Sequence, residues 1–426
     1  MYRGMTVSRC VAWLAAVMLA AGCGYRGPLH KTVITEDPAQ FTSVREDYRE
    51  LAALVTTDTG MPPTDSNTVS ILPDQHQKWE VMKRDLEGAR ESVYIEQYRF
   101  CQDSCGTIVA GILKERSADG ADVRVIVDKA STYPKDRKPL RELRRDSIDV
   151  RMFKACGNRD HRKIVLVDGK TGYVGGRNIA DKYFRDWRDT DFRLNGLAVR
   201  DLGSVYEENQ ERVAPGLTPV TVTAESSVAA VRDTVPGLVQ YHGKTVQIIH
   251  DNPWDRKLPV RNSFEWVVLH ARRYFYYYSP YSPPPRSVIN ALKAAAARGV
   301  DVRWIVPENS DVLVEKWMGE SLYLELLSAG VRIYEWQKTM MHTKQFICDD
   351  YITSVGSANV DNLSFFINLE VQALVYDEEL ARSARDLFLQ ETLSRCREVT
   401  LPEVRRWSIF RILRNCLTRV IGGWIS

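Results

Sequence analysis

One His–Lys–Asp pattern is written twice in this chain of 426 residues, at one spacing. His161, Lys163 and Asp168 recur as His342, Lys344 and Asp349, each displaced by 181 positions. The copies read HRKIVLVD and HTKQFICD. Gly175 and Asn178 recur at the same offset as Gly356 and Asn359. An acidic residue follows in each half, Asp191 in WRDTDFRLNG and Glu370 in FFINLEVQ. A lone His-x-Lys is common on protein surfaces. Two copies matched at five positions predict one active site assembled from two similar halves.

Both copies are apolar, partly β-branched and run into a glycine, which predicts a strand in each. Strand side chains alternate faces, so His161 and Lys163 share one face and Asp168 takes the other. The same alternation separates His342 and Lys344 from Asp349. The His and Lys can address one ligand together, while the Asp suits an anchor for the strand end or its turn. The sequences VGGRN and VGSAN suit tight turns in which backbone and a side-chain amide approach a ligand. A metal site fits poorly, because a Lys beside the His would repel a cation; an anionic ligand fits better.

The duplication extends upstream. Ala118–Asp128 (ADGADVRVIVD) parallels Ala297–Pro307 (ARGVDVRWIVP), Ser92–Phe100 parallels Tyr274–Tyr281, and VRMF at Val150 parallels VRIY at Val331. Each half reads strand, helix, strand, then the His–Lys strand and its turn. That alternation predicts an α/β fold of two similar halves with mixed central sheets, related by a pseudo-two-fold. The halves are expected over 75–214 and 241–402, joined through 215–240. The run RRYFYYY from Arg272 is expected to be a buried strand, not a platform for stacking nucleic-acid bases.

These residues resemble the phospholipase D superfamily, and within it the bacterial cardiolipin synthases. The likeness rests on the paired His-x-Lys motifs, IEQYRF, ARGVDVRWIVPENSD, LLSAGVRIYEW before MHTK, and GSANVDNLSFFINLEV. One departure is Leu363, where many relatives carry Arg. The resemblance implies a metal-free and cofactor-free phosphatidyl transfer through a covalent phosphohistidine, with His161 as nucleophile and His342 as acid and base. Lys163, Lys344, Asn178 and Asn359 would surround the phosphoryl oxygens, Asp191 and Glu370 would orient the imidazoles, and Asp168 and Asp349, as members of the paired motif, are grouped with the catalytic residues. Glu96 and Tyr98 are possible pocket residues. The partners it implies are phosphatidylglycerol and cardiolipin. A hydrolase using the same intermediate, on lipid or less readily on nucleic acid, is the alternative. Intact His and Lys in both copies argue against an inactive scaffold.

The N-terminus bears on the compartment. A short basic segment precedes the apolar run VAWLAAVMLAA of 11 residues. That is too short to span a bilayer but suits a signal peptide. The run leads into LAAGC, so 1–22 reads as a lipoprotein signal with Cys23 as the lipidation site, and Gly24 to Asn67 as a polar spacer. The expected location is the bacterial cell envelope. Export would permit disulfides, and a bridge among Cys101, Cys105 and Cys156 is conceivable, whereas Cys348 suits a buried thiol.

A net charge of +3 does not call for nucleic acid. The end of the chain differs in character. From Arg405 to Ser426 there are five Arg and no acidic residue, interleaved with large apolar side chains. The segment 403–426 therefore reads as a basic amphipathic helix, suited either to an anionic membrane surface or to packing on the core.

Overall fold

The computed structural model describes residues 44–220, 222 and 237–422. The signal peptide, Cys23 and most of the connecting segment lie outside them. The first half carries strands β1 (Thr64–Leu72), β2 (Ser92–Gln97), β3 (Asp122–Asp128), β4 (Asp149–Phe153), β5 (Lys163–Val167), β6 (Thr171–Gly175) and β7 (Asp191–Asn195). The second carries β8 (Tyr241–Asp251), β9 (Tyr274–Tyr278), β10 (Asp301–Pro307), β11 (Arg332–Trp336), β12 (Gln345–Cys348), β13 (Ile352–Gly356), β14 (Glu370–Tyr376) and β15 (Cys396–Val399).

Strands β2, β3 and β4 run parallel, and β5 joins β2 antiparallel. Strands β9, β10, β11 and β12 repeat that arrangement. Helices Ser104–Ala118 and Arg286–Ala297 make the first crossover of each parallel run, as parallel strands require. Where two mixed sheets are expected, one continuous sheet forms, ordered β15-β11-β10-β9-β12-β13-β14-β8-β1-β7-β6-β5-β2-β3-β4. Outward from the β8–β1 pair the two sides repeat one order, with β15 added at one edge. The pseudo-two-fold therefore passes between β1 and β8.

The spacer expectation fails over part of its length. Glu46–Thr59 is a helix, and its Tyr48, Leu51, Ala52 and Val55 are buried in the core of the second half. Tyr48 stacks on Tyr351 at 5.1 Å between ring centroids, and the Arg45 backbone N–H donates to the Tyr351 hydroxyl at 2.7 Å. The following β1 lies in the middle of the sheet. Residues 46–72 are thus structural, because their apolar side chains recur at helical spacing and then on one strand.

A further apolar cluster joins the halves, bringing Val174 and Phe192 together with Val355, Val371 and Ala373. All five residues of β9 are buried, so RRYFYYY supplies core as expected. Cys101, Cys105 and Cys156 are free thiols, which corrects the disulfide considered among them, and Cys348 is a buried thiol. At the C-terminal end, Ile409–Gly422 is a helix lying along Leu313–Glu320.

Candidate active site

The two His–Lys pairs meet where the halves face each other. The backbone delivers them symmetrically. The His161 N–H donates to the Leu369 carbonyl at 3.0 Å, and the His342 N–H to the Arg188 carbonyl at 2.7 Å. Each histidine is thereby bridged to the opposite half just before its own strand begins. Both motif lysines donate to the carbonyl of their own histidine, two residues back on the same face, as strand alternation requires.

A carboxylate from the opposite half fixes each imidazole. His161 Nδ1 lies 2.9 Å from Glu370 Oε1 and 3.0 Å from Oε2. His342 Nδ1 lies 2.8 Å from Asp189 Oδ2. This corrects the assignment of Asp191. That residue is bound to the Arg177 guanidinium, in a buried ion pair behind the site. The 181-residue offset identifies the right partner, since Asp189 precedes Glu370 by that interval.

The turns differ where the carboxylates sit. A Cβ on Gly176 would meet both Asp189 oxygens at 2.5 Å, so only glycine leaves room there. The equivalent residue is Ser357, whose hydroxyl donates to Glu370 Oε2 and accepts from the Val371 N–H at 2.9 Å. Asp189 and Ser357 are thus site residues beyond those the paired motif marks, and the 181-residue offset to Glu370 is the signal that points to Asp189.

Asp168 and Asp349, grouped with the catalytic residues on sequence, stand away from the site. Asp168 accepts from the backbone N–H groups of Arg90, Glu91 and Ser92 at 2.7–3.1 Å. Asp349 accepts from those of Arg272, Arg273 and Tyr274 at 2.8–3.0 Å. Both occupy left-handed backbone, with φ of 52° and 53°. They anchor the strand ends, the role that strand alternation predicts for them.

The amides are unequal. Asn178 accepts from the Arg99 N–H at 3.1 Å and donates to the Tyr183 hydroxyl at 2.8 Å, so it serves the surrounding turn. The buried Asn359 leaves its side-chain carbonyl without a partner among the described residues. Tyr98 stands edge-on to His161 at 4.6 Å, whereas Glu96 lies behind the site, accepting from Asn209 at 2.9 Å. Around His342 are Tyr183, Trp187 and Tyr281, with ring centroids at 5.2–5.7 Å.

His161, His342, Lys163 and Lys344 are only 7, 3, 3 and 1% exposed, so electrostatics act here almost unscreened by water. Burial lowers the Lys163 ammonium to about 7, Glu370 opposing the shift and Lys344 adding to it. Burial lowers Lys344 to about 8 against the pull of Asp189 and Glu370. His342 is driven well below its ordinary range by burial, then by Lys344 and Lys163. Burial also lowers His161, with Glu370 opposing. Burial works against ionised Glu370, but His161, Lys163 and the Ser357 hydroxyl hold it below the usual carboxylate range. Asp189 is raised by burial despite Lys344 and Arg177. The arrangement is a buried cradle of two lysine side chains and two oriented imidazoles, whose chemistry suits an anion.

A family model described as "Cardiolipin synthase, PLD-like domain" matches the chain twice, over residues 82–202 and 268–392. The chain belongs to this phospholipase D-like family. Each half contributes one copy, and the matches span most of the strands that build the site. A cardiolipin synthase of Listeria monocytogenes is 28% identical over 81% of this chain and 73% of the relative. Cardiolipin synthase 2 of Staphylococcus epidermidis is 30% identical over 81% of this chain and 72% of the relative. A probable cardiolipin synthase of Bacillus subtilis is 29% identical over 86% and 74%. Among solved structures, a phosphatidylserine synthase from Haemophilus influenzae superposes with a TM-score of 0.65. It is 12% identical, over 89% of this chain and 98% of that one. A polyphosphate kinase from Porphyromonas gingivalis gives 0.52 at 12% identity, over 84% of this chain and 53% of that one. Both share the fold.

Proposed function

We propose that this chain is a phosphatidyltransferase of the cardiolipin synthase type, acting on phosphatidylglycerol through a phosphohistidine. The observation that carries the reading is the reciprocal clamp, in which each histidine is oriented by a carboxylate of the other half. With Nδ1 held by Glu370 and Asp189, Nε2 is the nitrogen of each ring turned away from its carboxylate, and at His342 it lies 3.1 Å from Lys344 Nζ.

In the first step His161 Nε2 attacks phosphorus. The P–N bond forms, the P–O bond to the head-group glycerol breaks, and His342 gives its Nε2 proton to the departing oxygen. In the second, a hydroxyl of another phosphatidylglycerol passes its proton to His342 while its oxygen displaces His161. Cardiolipin and glycerol are the products. An ionised Glu370 supports His161 as the nucleophile, because it stabilises the positive charge that ring acquires. Lys163 and Lys344 neutralise the phosphoryl oxygens through both steps. Burial, then the lysines, depress His342; the phosphodiester's charge offsets the lysines and favours a proton on that ring once substrate is bound.

The same intermediate opens to water in a hydrolase. The near-complete burial of both histidines favours an alcohol brought in by a lipid over bulk water. The relatives named as cardiolipin synthases support the same choice. Purified enzyme given labelled phosphatidylglycerol should yield cardiolipin and glycerol. Phosphatidic acid as the main product would establish the hydrolase instead. Among the described residues no helix is long and apolar enough to cross a membrane. For the attachment we take the LAAGC motif as a lipoprotein processing site, with the chain tethered in the bacterial envelope through acylated Cys23.

A further inference from the structure

The helix Ile409–Gly422 has its polarity reversed relative to a helix lying on a soluble surface. Toward the protein it presents Arg411, Arg414 and Asn415, which converge on the buried Glu320 carboxylate. Arg411 Nη2 is 2.9 Å from Oε1, and Arg414 Nη2 and Asn415 Nδ2 are 3.1 and 2.9 Å from Oε2. Toward solvent it presents Ile409, Phe410, Leu413, Leu417 and Val420, each 59–81% exposed. At helical spacing these five fall on one stripe. An apolar face this continuous marks a surface that something covers.

The stripe does not stand alone. Leu313 and Phe410 line one groove with Trp317, and Val312, Leu313 and Val314 are 40–57% exposed. The residue before them, Asp311, accepts from the Tyr281 hydroxyl at 2.6 Å and pairs with Lys182 of the first half at 3.4 Å. Tyr281 in turn stands edge-on to His342 at 5.7 Å. The apolar surface therefore begins one residue from a contact chain that ends on a catalytic imidazole. Arg405 and Arg406 are exposed at its margin, and no acidic residue follows them.

We infer that Val312–Val314 and the outward stripe of Ile409–Gly422 form one surface that seats the protein on an anionic phospholipid bilayer, with the His342 side of the site at the interface. The inference rests on the phosphatidyltransferase reading, which requires a lipid substrate. A bilayer complements an apolar face bordered by cations, whereas a second copy would bring like charges together across a two-fold. The single Glu320 carboxylate is shared by Arg411 and Arg414 and offsets one of their two charges, so insertion is driven mainly by apolar burial. Its salt dependence is weaker than five uncommitted arginines would give.

The test uses the chain exported from a cleavable secretory signal, so that it carries no acyl group, floated with equimolar phosphatidylglycerol–phosphatidylcholine vesicles. Two variants are compared with it, one with Phe410→Ser, Leu413→Ser and Leu417→Ser, the other with Val312→Ser, Leu313→Ser and Val314→Ser. Each should lose about tenfold or more in vesicle affinity at both low and moderate salt. Turnover of a dispersed short-chain phospholipid should stay unchanged in the first variant. Undiminished flotation of both variants overturns the inference. So does a wild-type dimer in vesicle-free solution that the first variant converts to monomer, since the face would then be a self-contact. A wild-type chain that floats with vesicles but transfers no phosphatidyl groups contradicts the proposed function and leaves the surface standing.

Discussion

Asp189 Oδ2 stands 2.8 Å from His342 Nδ1, and this contact crosses from the first half to the second. Its counterpart, Glu370 to His161, crosses back at 2.9 Å. A carboxylate that fixes the tautomer and steadies the charged ring is worth a large rate factor. Asp189→Asn and Glu370→Gln should each lower kcat by about 10²–10⁴-fold while the protein stays folded. Asp191→Asn should behave differently. It strands the buried Arg177 and should cost about 3–5 kcal/mol of stability, with turnover per folded molecule retained. Steady-state kinetics beside thermal melts separate the two. A kinetic defect confined to the Asp191 variant would reverse the assignment.

Asp189 and Asp191 show where sequence reasoning reached its limit. They lie two apart and so on one face of an extended segment, and strand alternation cannot choose between them. The repeat offset can, because it carries Asp189 onto Glu370 as it carries His161 onto His342. The mixed sheet, the buried β9 and the anchoring place of Asp168 were all legible from local periodicity. The joining of both halves through β1 and β8 was not, since pairing between distant strands leaves little local mark. The helix Glu46–Thr59 did leave one, in Tyr48, Leu51, Ala52 and Val55, but the polar residues around it masked the pattern.

The two anchoring aspartates predict loss of stability without loss of chemistry. Each accepts from three successive backbone N–H groups, of which those of Ser92 and Tyr274 are part-buried, so removing the charge weakens all three bonds. Asp168→Asn and Asp349→Asn should each cost about 1–3 kcal/mol by denaturant unfolding. Asn tolerates the left-handed backbone, so the alanine variants should lose more. Normal stability with absent activity would return both residues to the catalytic set.

The lysines set the alkaline side of the pH profile. In the proposed reaction their cationic forms hold the phosphoryl oxygens, and these forms exist below their pKa values, about 7 for Lys163 and about 8 for Lys344. The free-enzyme profile, kcat/KM, should therefore fall as pH rises through that window. A bound phosphodiester favours the charged lysines, so the fall in kcat should come at higher pH. On the acid side His161 must be neutral to attack. Its lowered pKa keeps it so below the ordinary histidine range, and activity should persist there. A kcat/KM that stays level or rises between pH 7 and 9 would contradict this assignment of charge.

The N-terminal residue of the mature protein tests the lipoprotein reading. Mass spectrometry of protein taken from the envelope should find residue 23 at the N-terminus, bearing acyl chains. Cys23→Ala should leave the signal uncleaved. An unmodified N-terminus at another residue would reject the anchor and leave the protein's own surface to hold it at the membrane.

Two halves build one site, and turnover of the single-histidine variants tests this most directly. His161→Ala and His342→Ala should each fold and each lose at least about 10³-fold in phosphatidyl transfer, because nucleophile and acid act on one phosphorus. Either variant retaining near half of the wild-type rate would mean that each half works alone, and would contradict the shared site.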